Sequence, residues 1–225
     1  MAGTSHAFEA RSIQIRTGRV TLQGDLTIPP MAGGIVLFAH GSGSGRHSPR
    51  NRFVADRLGE LGLATLLFDL LTADADEEAE DARTSQLYFD IALLAERLVG
   101  ASDWAGEDPE TRGMRIGYFG ASTGGGAALV AASERPDSVG AVVSRGGRPD
   151  LAGNALSRVK APTLLIVGGN DEPVIAMNQR ALGHLRSEKR LEIVPGATHL
   201  FEEPGTLAEV ARLAGEWLKD HLAPT

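Results

Sequence analysis

Six short, mainly apolar strand-like runs, most of them separated by stretches with helical spacing, constrain this chain more than any other feature. They are Gly34–Ala39, Leu63–Phe68, Arg115–Phe119, Val139–Val143, Thr163–Val167 and Leu191–Val194. Gly34–Ala39 is an unbroken apolar run, as a strand buried on both faces reads, and the others read as strands too. Between and after them, Phe53, Leu58 and Leu61 mark one helical face closed by Gly62. Leu87, Ile91, Leu94 and Leu98 mark a second, Ser122–Ser133 is rich in alanine, and Pro173–Leu185 reads as helix. Leu207, Val210, Ala214, Trp217 and Leu218 mark a final amphipathic helix. Ahead of the first run, Ser12–Arg16 and Val20–Ile28 alternate polar and apolar residues around Thr17-Gly18-Arg19, the pattern of an antiparallel hairpin. The expectation is an α/β fold: a mostly parallel eight-stranded sheet with an N-terminal antiparallel hairpin and helices on both faces. No internal repeat or linker-like stretch interrupts the 225 residues, so one domain over 1–225 is expected. The longest irregular stretches are expected at Thr72–Arg83 and Ala101–Arg112.

Composition enters through what it excludes. Cysteine is absent, which removes disulfides, thiolate nucleophiles and zinc–thiolate or iron–sulfur sites. The net charge of −7 gives no electrostatic footprint for nucleic acid or an anionic membrane. No apolar run approaches a membrane span, and Met1–Arg11 lacks the apolar core of a secretory signal, so a cytoplasmic protein is expected. No cofactor and no metal is expected. Gly41-Ser42-Gly43-Ser44-Gly45-Arg46 imitates a dinucleotide loop, but Arg46 stands where the third glycine belongs.

Ligands of open α/β sheets bind beyond the carboxyl ends of the strands, so the loops after each strand carry the candidates. The strand ending at Phe119 runs into Gly120-Ala121-Ser122-Thr123-Gly124, a G-x-S-x-G pattern. Chance alone gives about 0.2 such matches in a chain this rich in glycine. A strand directly before and a helix directly after turn the match into a candidate nucleophile, Ser122, set on a sharp turn. The competing reading makes Ser122 a plain helix cap.

A serine needs a base, and the base an orienting acid, in the chain order Ser, Asp or Glu, His. Gly168-Gly169-Asn170-Asp171-Glu172-Pro173 and Pro195-Gly196-Ala197-Thr198-His199 follow two later strands. Asp171 is therefore the candidate orienter, with Glu172 as competitor and a helix cap as the alternative role. His199 is the candidate base; of the other histidines, His40 opens a loop that it is expected to shape.

Taken in order, His40-Gly41-Ser42-Gly43, the elbow Gly120–Gly124, the acid loop Gly168–Pro173 and Gly196-Ala197-Thr198-His199 resemble the α/β-hydrolase fold. More narrowly they resemble the dienelactone hydrolase-like family, with Ser144-Arg145-Gly146-Gly147-Arg148-Pro149-Asp150 similar to one branch. Dienelactone hydrolases proper carry a cysteine at the elbow, whereas this chain has Ser122 and no cysteine. The resemblance thus implies a serine-nucleophile branch, closer to a carboxylesterase that cleaves small esters or lactones. An acyltransferase or peptidase on the same three residues, or a non-catalytic binding protein of the fold, are the alternatives. In this arrangement the Thr123 backbone N–H is expected to form an oxyanion hole with that of Ser42, ahead of Gly43.

Only Ser144–Pro162 fills the position where many relatives carry a large lid, so an open site is expected. His40, Arg145 and Arg148 are candidate substrate contacts, the two arginines as a carboxylate clamp; pairing with Asp150 or the acidic run is their alternative. That run, Asp74–Asp81, fails calcium-loop spacing, because position six is Ala79 and position twelve is Ser85. A solvated rim loop is expected there.

Overall fold

The turn at Gly18, with φ of 58°, folds Arg11–Thr17 (β1) back on Val20–Thr27 (β2) in antiparallel register, Ile13 opposite Gly24 and Ile15 opposite Leu22. Inward-facing Ile13, Ile15, Leu22 and Leu26 are buried. In the computed structural model, which describes residues 8–72 and 86–223, β2 lies antiparallel to Leu63–Phe68 (β4). Every later pairing is parallel: β4 with Gly34–Ala39 (β3), then Arg115–Ala121 (β5), Val139–Arg145 (β6), Thr163–Gly168 (β7) and Lys189–Val194 (β8). The eight strands stand in the order β1-β2-β4-β3-β5-β6-β7-β8, the mostly parallel sheet with an N-terminal antiparallel hairpin that the run pattern predicts.

β3, β4 and β7 are buried along their whole length because helices cover both faces. Pro49–Glu60 (α1) and Thr206–Leu222 (α5) cover one face, packing Val54, Leu58, Val210, Trp217 and Leu218 against Val36, Phe38, Phe119 and Val143. Ile91–Glu107 (α2) and Thr123–Glu134 (α3) cover the other, against Leu37, Tyr118 and Val142. Glu172–His184 (α4) continues this second layer over β7 and β8. Burial of a Leu, Val or Phe side chain contributes about 1.5–3 kcal/mol, so these two layers supply most of the driving force.

Two expectations need correction. The stretch Ala101–Arg112 is not irregular over its first half, because α2 runs on to Glu107. Ala101 and Ala105 are buried there, and the Ser102 hydroxyl donates to the Leu98 carbonyl at 2.9 Å and lies 2.7 Å from Tyr118 Oη. Leu87 is not part of that helix. It sits in a separate 3-10 turn, Leu87–Phe89, and the Asp90 carboxylate caps α2 by accepting from the Leu93 N–H at 3.0 Å. The position of the missing lid holds a ten-residue 3-10 segment, Pro149–Arg158, with a kink at Gly153. The acidic run at 74–81 lies outside the described residues.

Candidate active site

The central strand β5 ends in a backbone turn that few side chains tolerate. Ser122 has φ of 51° and ψ of −122°, a left-handed conformation that costs of order 1–3 kcal/mol and persists only when its surroundings enforce it. Those surroundings are the neighbouring strand ends. The Ser122 N–H donates to the Arg145 carbonyl at 3.3 Å, and its carbonyl accepts from the N–H groups of Gly125 and Arg148, both at 3.0 Å. The loop after β3 presses on the elbow from the other side. A Cβ on Gly124 would lie 2.1 Å from the Ala39 carbonyl oxygen, and one on Gly41 would lie 3.0 Å from Ser122 Cβ. Gly124 requires glycine because two backbones meet there, and Gly41 leaves room that a side chain would fill tightly.

Ser122 occupies the cap position of α3, yet its side chain makes no cap hydrogen bond. The plain helix-cap reading therefore fails. Asp171 likewise stands at the cap of α4 without bonding the helix. Its Oδ2 accepts instead from His199 Nδ1 at 2.7 Å, a charge-assisted bond with the carboxylate nearly buried and the imidazole 39% exposed. Glu172, the competing acid, is exposed in the first turn of α4. A bond from Nδ1–H leaves Nε2 as the lone-pair nitrogen, the tautomer that a base facing a hydroxyl needs.

Parallel pairing brings these loops to one rim. Gly120 pairs with Ser144, Arg145 with Ile166, and Gly168 with Val194, so β5, β6, β7 and β8 end side by side. Gly146 links the loops: a Cβ there would lie 3.6 Å from His199 Cε1 and 3.2 Å from the His199 carbonyl. Thr123 is buried at the first position of α3, and Ser42 is exposed just beyond Gly41.

The three candidate substrate contacts have other partners. His40 is buried; its Nδ1–H donates to the Gly41 carbonyl and its Nε2 accepts from the Leu70 N–H, both at 3.0 Å. Burial holds its pKa below the usual value, so the ring is a neutral brace for the loop. Arg46 anchors the far end of that loop, bonding Asp69 through backbone and guanidinium. Arg145 is buried under the histidine loop, 5.8 Å over the Phe201 ring, and one of its amino groups donates to Asn51 Oδ1 at 3.3 Å. Burial and the nearby Arg50 lower its pKa to about 10. Arg148 makes a forked bond to Asp150, at 2.9 and 2.7 Å. Both arginines also hold the elbow through their backbones, Arg145 by its carbonyl and Arg148 by its N–H, and Arg148 takes the pairing with Asp150 that the sequence offered beside the clamp.

Sequence reasoning missed Asn170 and Glu203. Asn170 donates through its backbone N–H to the Ala197 carbonyl at 2.9 Å and through Nδ2 to the Gly196 carbonyl at 3.0 Å, lacing the acid loop to the histidine loop. Its place beside Asp171 was the one available signal. Glu203 bonds Thr198, and nothing in its spacing marks it. Among the described residues no cluster of three or more metal-ligating side chains forms, and no helix is long and apolar enough to cross a membrane.

By topology and by the acid and histidine at the ends of its last two strands, this is an α/β-hydrolase-fold chain, and comparison with known proteins narrows the class. The chain belongs to the dienelactone hydrolase family, whose model matches residues 23–220. It is 63% identical to a dienelactone hydrolase from Anabaena variabilis of known crystal structure, over 96% of this chain and 100% of that one, with a TM-score of 0.93. Two Mycobacterium tuberculosis proteins, provisionally named phosphoribosyl transferases, are 56% identical over 210 residues. That match covers 93% of this chain but 46% of theirs, so the chain spans about half the length of these curated relatives. Est1E from Butyrivibrio proteoclasticus shares the fold at a TM-score of 0.76 and 17% identity, over 93% of this chain and 98% of that one.

Proposed function

We propose that this chain is a serine hydrolase of carboxylesterase type that cleaves small, accessible esters or lactones through an acyl-enzyme on Ser122. The observation that carries the reading is the 2.7 Å bond from His199 Nδ1 to Asp171, made on the rim where the strained Ser122 turn also lies. His199 Nε2 takes the Ser122 proton as Oγ attacks the carbonyl carbon, and Asp171 stabilises the imidazolium that forms. The oxyanion is received by the N–H groups of Thr123 and Ser42; one such donor contributes roughly 3–4 kcal/mol in the transition state. The imidazolium then returns its proton to the departing alkoxide. Water attacks the acyl group by the same relay, releasing the acid and restoring the serine. Serine at the elbow supports ester hydrolysis over the chemistry of cysteine-bearing relatives, and the close Anabaena relative supports a small lactone or ester as substrate. The transferase name of the mycobacterial proteins belongs to chains about twice as long as this one.

Treatment with a fluorophosphonate tests this directly. The expected result is one adduct per chain by intact mass, mapped to Ser122 and absent from Ser122→Ala. An unmodified wild-type chain, or an adduct that survives Ser122→Ala, overturns the assignment.

A further inference from the structure

The turn that carries His199 does not hold itself together. Between β8 and α5 it contains three residues with left-handed backbone: Gly196 with φ of 75°, Phe201 with φ of 56° and Gly205 with φ of 84°. For an aromatic residue that conformation is an outlier that surrounding contacts must enforce. His199 itself is 39% exposed, so packing alone does not fix its ring. Its side-chain bond to Asp171 constrains one nitrogen and leaves the approach of the other to the backbone beneath.

On the leading side Asn170 holds Gly196 and Ala197. On the trailing side the work falls to Glu203. Its Oε2 accepts from the Thr198 N–H at 3.1 Å and its Oε1 from the Thr198 hydroxyl at 2.6 Å. Its own carbonyl accepts from the Thr206 N–H at 3.1 Å and the Thr206 hydroxyl at 2.8 Å. One residue therefore ties the position just before His199 to the first turn of α5. Within the ring so closed, the Phe201 N–H donates to the Thr198 carbonyl at 3.3 Å, and the Phe201 ring is buried beneath. The bonds from Thr198 also hold the Glu203 carboxyl below the usual carboxylate range, so it stays ionised and keeps both acceptors near neutrality.

We propose that Glu203 is a positioning residue of the hydrolytic site: by closing the ring with Thr198 it sets the aim of His199 at the Ser122 hydroxyl. It touches neither substrate nor reacting atoms. The inference rests on the Ser122–His199–Asp171 reading above.

Glu203→Ala removes both acceptors; Glu203→Gln keeps one carbonyl acceptor and gains an amide donor that the Thr198 hydroxyl can accept. Small misplacements of a catalytic group cost up to about a hundredfold. Glu203→Ala is expected to lower kcat for p-nitrophenyl acetate and the rate of fluorophosphonate labelling roughly 10- to 100-fold, with KM changed less than about threefold. Glu203→Gln recovers most of that loss. Thr198→Val, which deletes one donor, lies between, and the double variant with Glu203→Ala is no worse than Glu203→Ala alone. An activity-independent readout separates this idea from the hydrolase reading: the low-field proton resonance of His199 Nδ1–H, present in wild type and absent in Asp171→Asn. It broadens or shifts in Glu203→Ala and is retained in Glu203→Gln. Unchanged labelling and kcat in Glu203→Ala, or an unchanged resonance, overturns the positioning role. A wild-type chain that is never labelled overturns the hydrolase reading, and the resonance alone then decides on Glu203.

Discussion

Two buried side chains decide how the rim behaves as chemistry changes around it. Arg145 sits 5% exposed, with an unpartnered Nε and its guanidinium over Phe201. So enclosed, the guanidinium packs against the loop that carries His199, and its loss disturbs that loop. Arg145→Ala is therefore expected to lower turnover of a carboxylate-bearing ester and of its neutral analogue by the same factor. A loss confined to the charged ester, in paired kcat/KM measurements, would restore the clamp. His40 gives a pH dependence. Desolvation lowers its pKa from 6.5, opposed in part by the Gly41 carbonyl and Asp69. The folded chain keeps the ring neutral, whereas the unfolded chain takes up a proton below pH 6.5. The stability this group contributes is thus complete above that pH and is lost as the pH falls below it. Denaturant midpoints on either side of the value check the slope, which His40→Gln, having no titrating ring, flattens.

At the scale of elements, small residues set the distances between layers. Helix α2 crosses the end of β1 so closely that a Cβ on Gly100 would lie 1.8 Å from Thr17 Oγ1 and 2.4 Å from Thr17 Cβ. Gly100→Ala is expected to destabilise the chain by about 1–3 kcal/mol, read as a lower urea midpoint at unchanged slope, because a β-branched, buried Thr17 has nowhere to turn. The same crossing explains a boundary that the sequence obscured. Gly100-Ala101-Ser102 interrupts the leucine periodicity, and helical spacing fades there. Continuation to Glu107 is fixed by Ser102 meeting Tyr118 on β5 and by Ala105 packing against the sheet layer, contacts between segments far apart in the chain. The inner strands β3, β4 and β7 were legible because burial on both faces leaves a short, nearly continuous apolar run, and the hairpin because one solvated face leaves alternation.

For the molecule as a whole, the crossover from β6 to β7 is filled by the 3-10 segment Pro149–Arg158 alone. A cover this short encloses little apolar surface for a long acyl chain. Turnover of p-nitrophenyl esters is therefore expected to peak at the acetate or butyrate and to fall about tenfold or more by the decanoate. Activity that climbs steadily with chain length would contradict an open, shallow site.

Residue order along the chain determined the α/β class, the hairpin ahead of a parallel sheet, and the serine, aspartate and histidine loops, because each depends on local periodicity or on turn chemistry at a strand end. Tertiary structure alone decided the rest. It gave the Asp171 carboxylate to His199 and not to its own helix, bonded His40 to the Leu70 N–H, Arg145 to Asn51 and Arg148 to Asp150, and brought Glu203 under the histidine turn. The reason is that a buried polar atom bonds whichever partner folding places within reach, and that partner is set by which strand ends become neighbours, a fact no local spacing encodes.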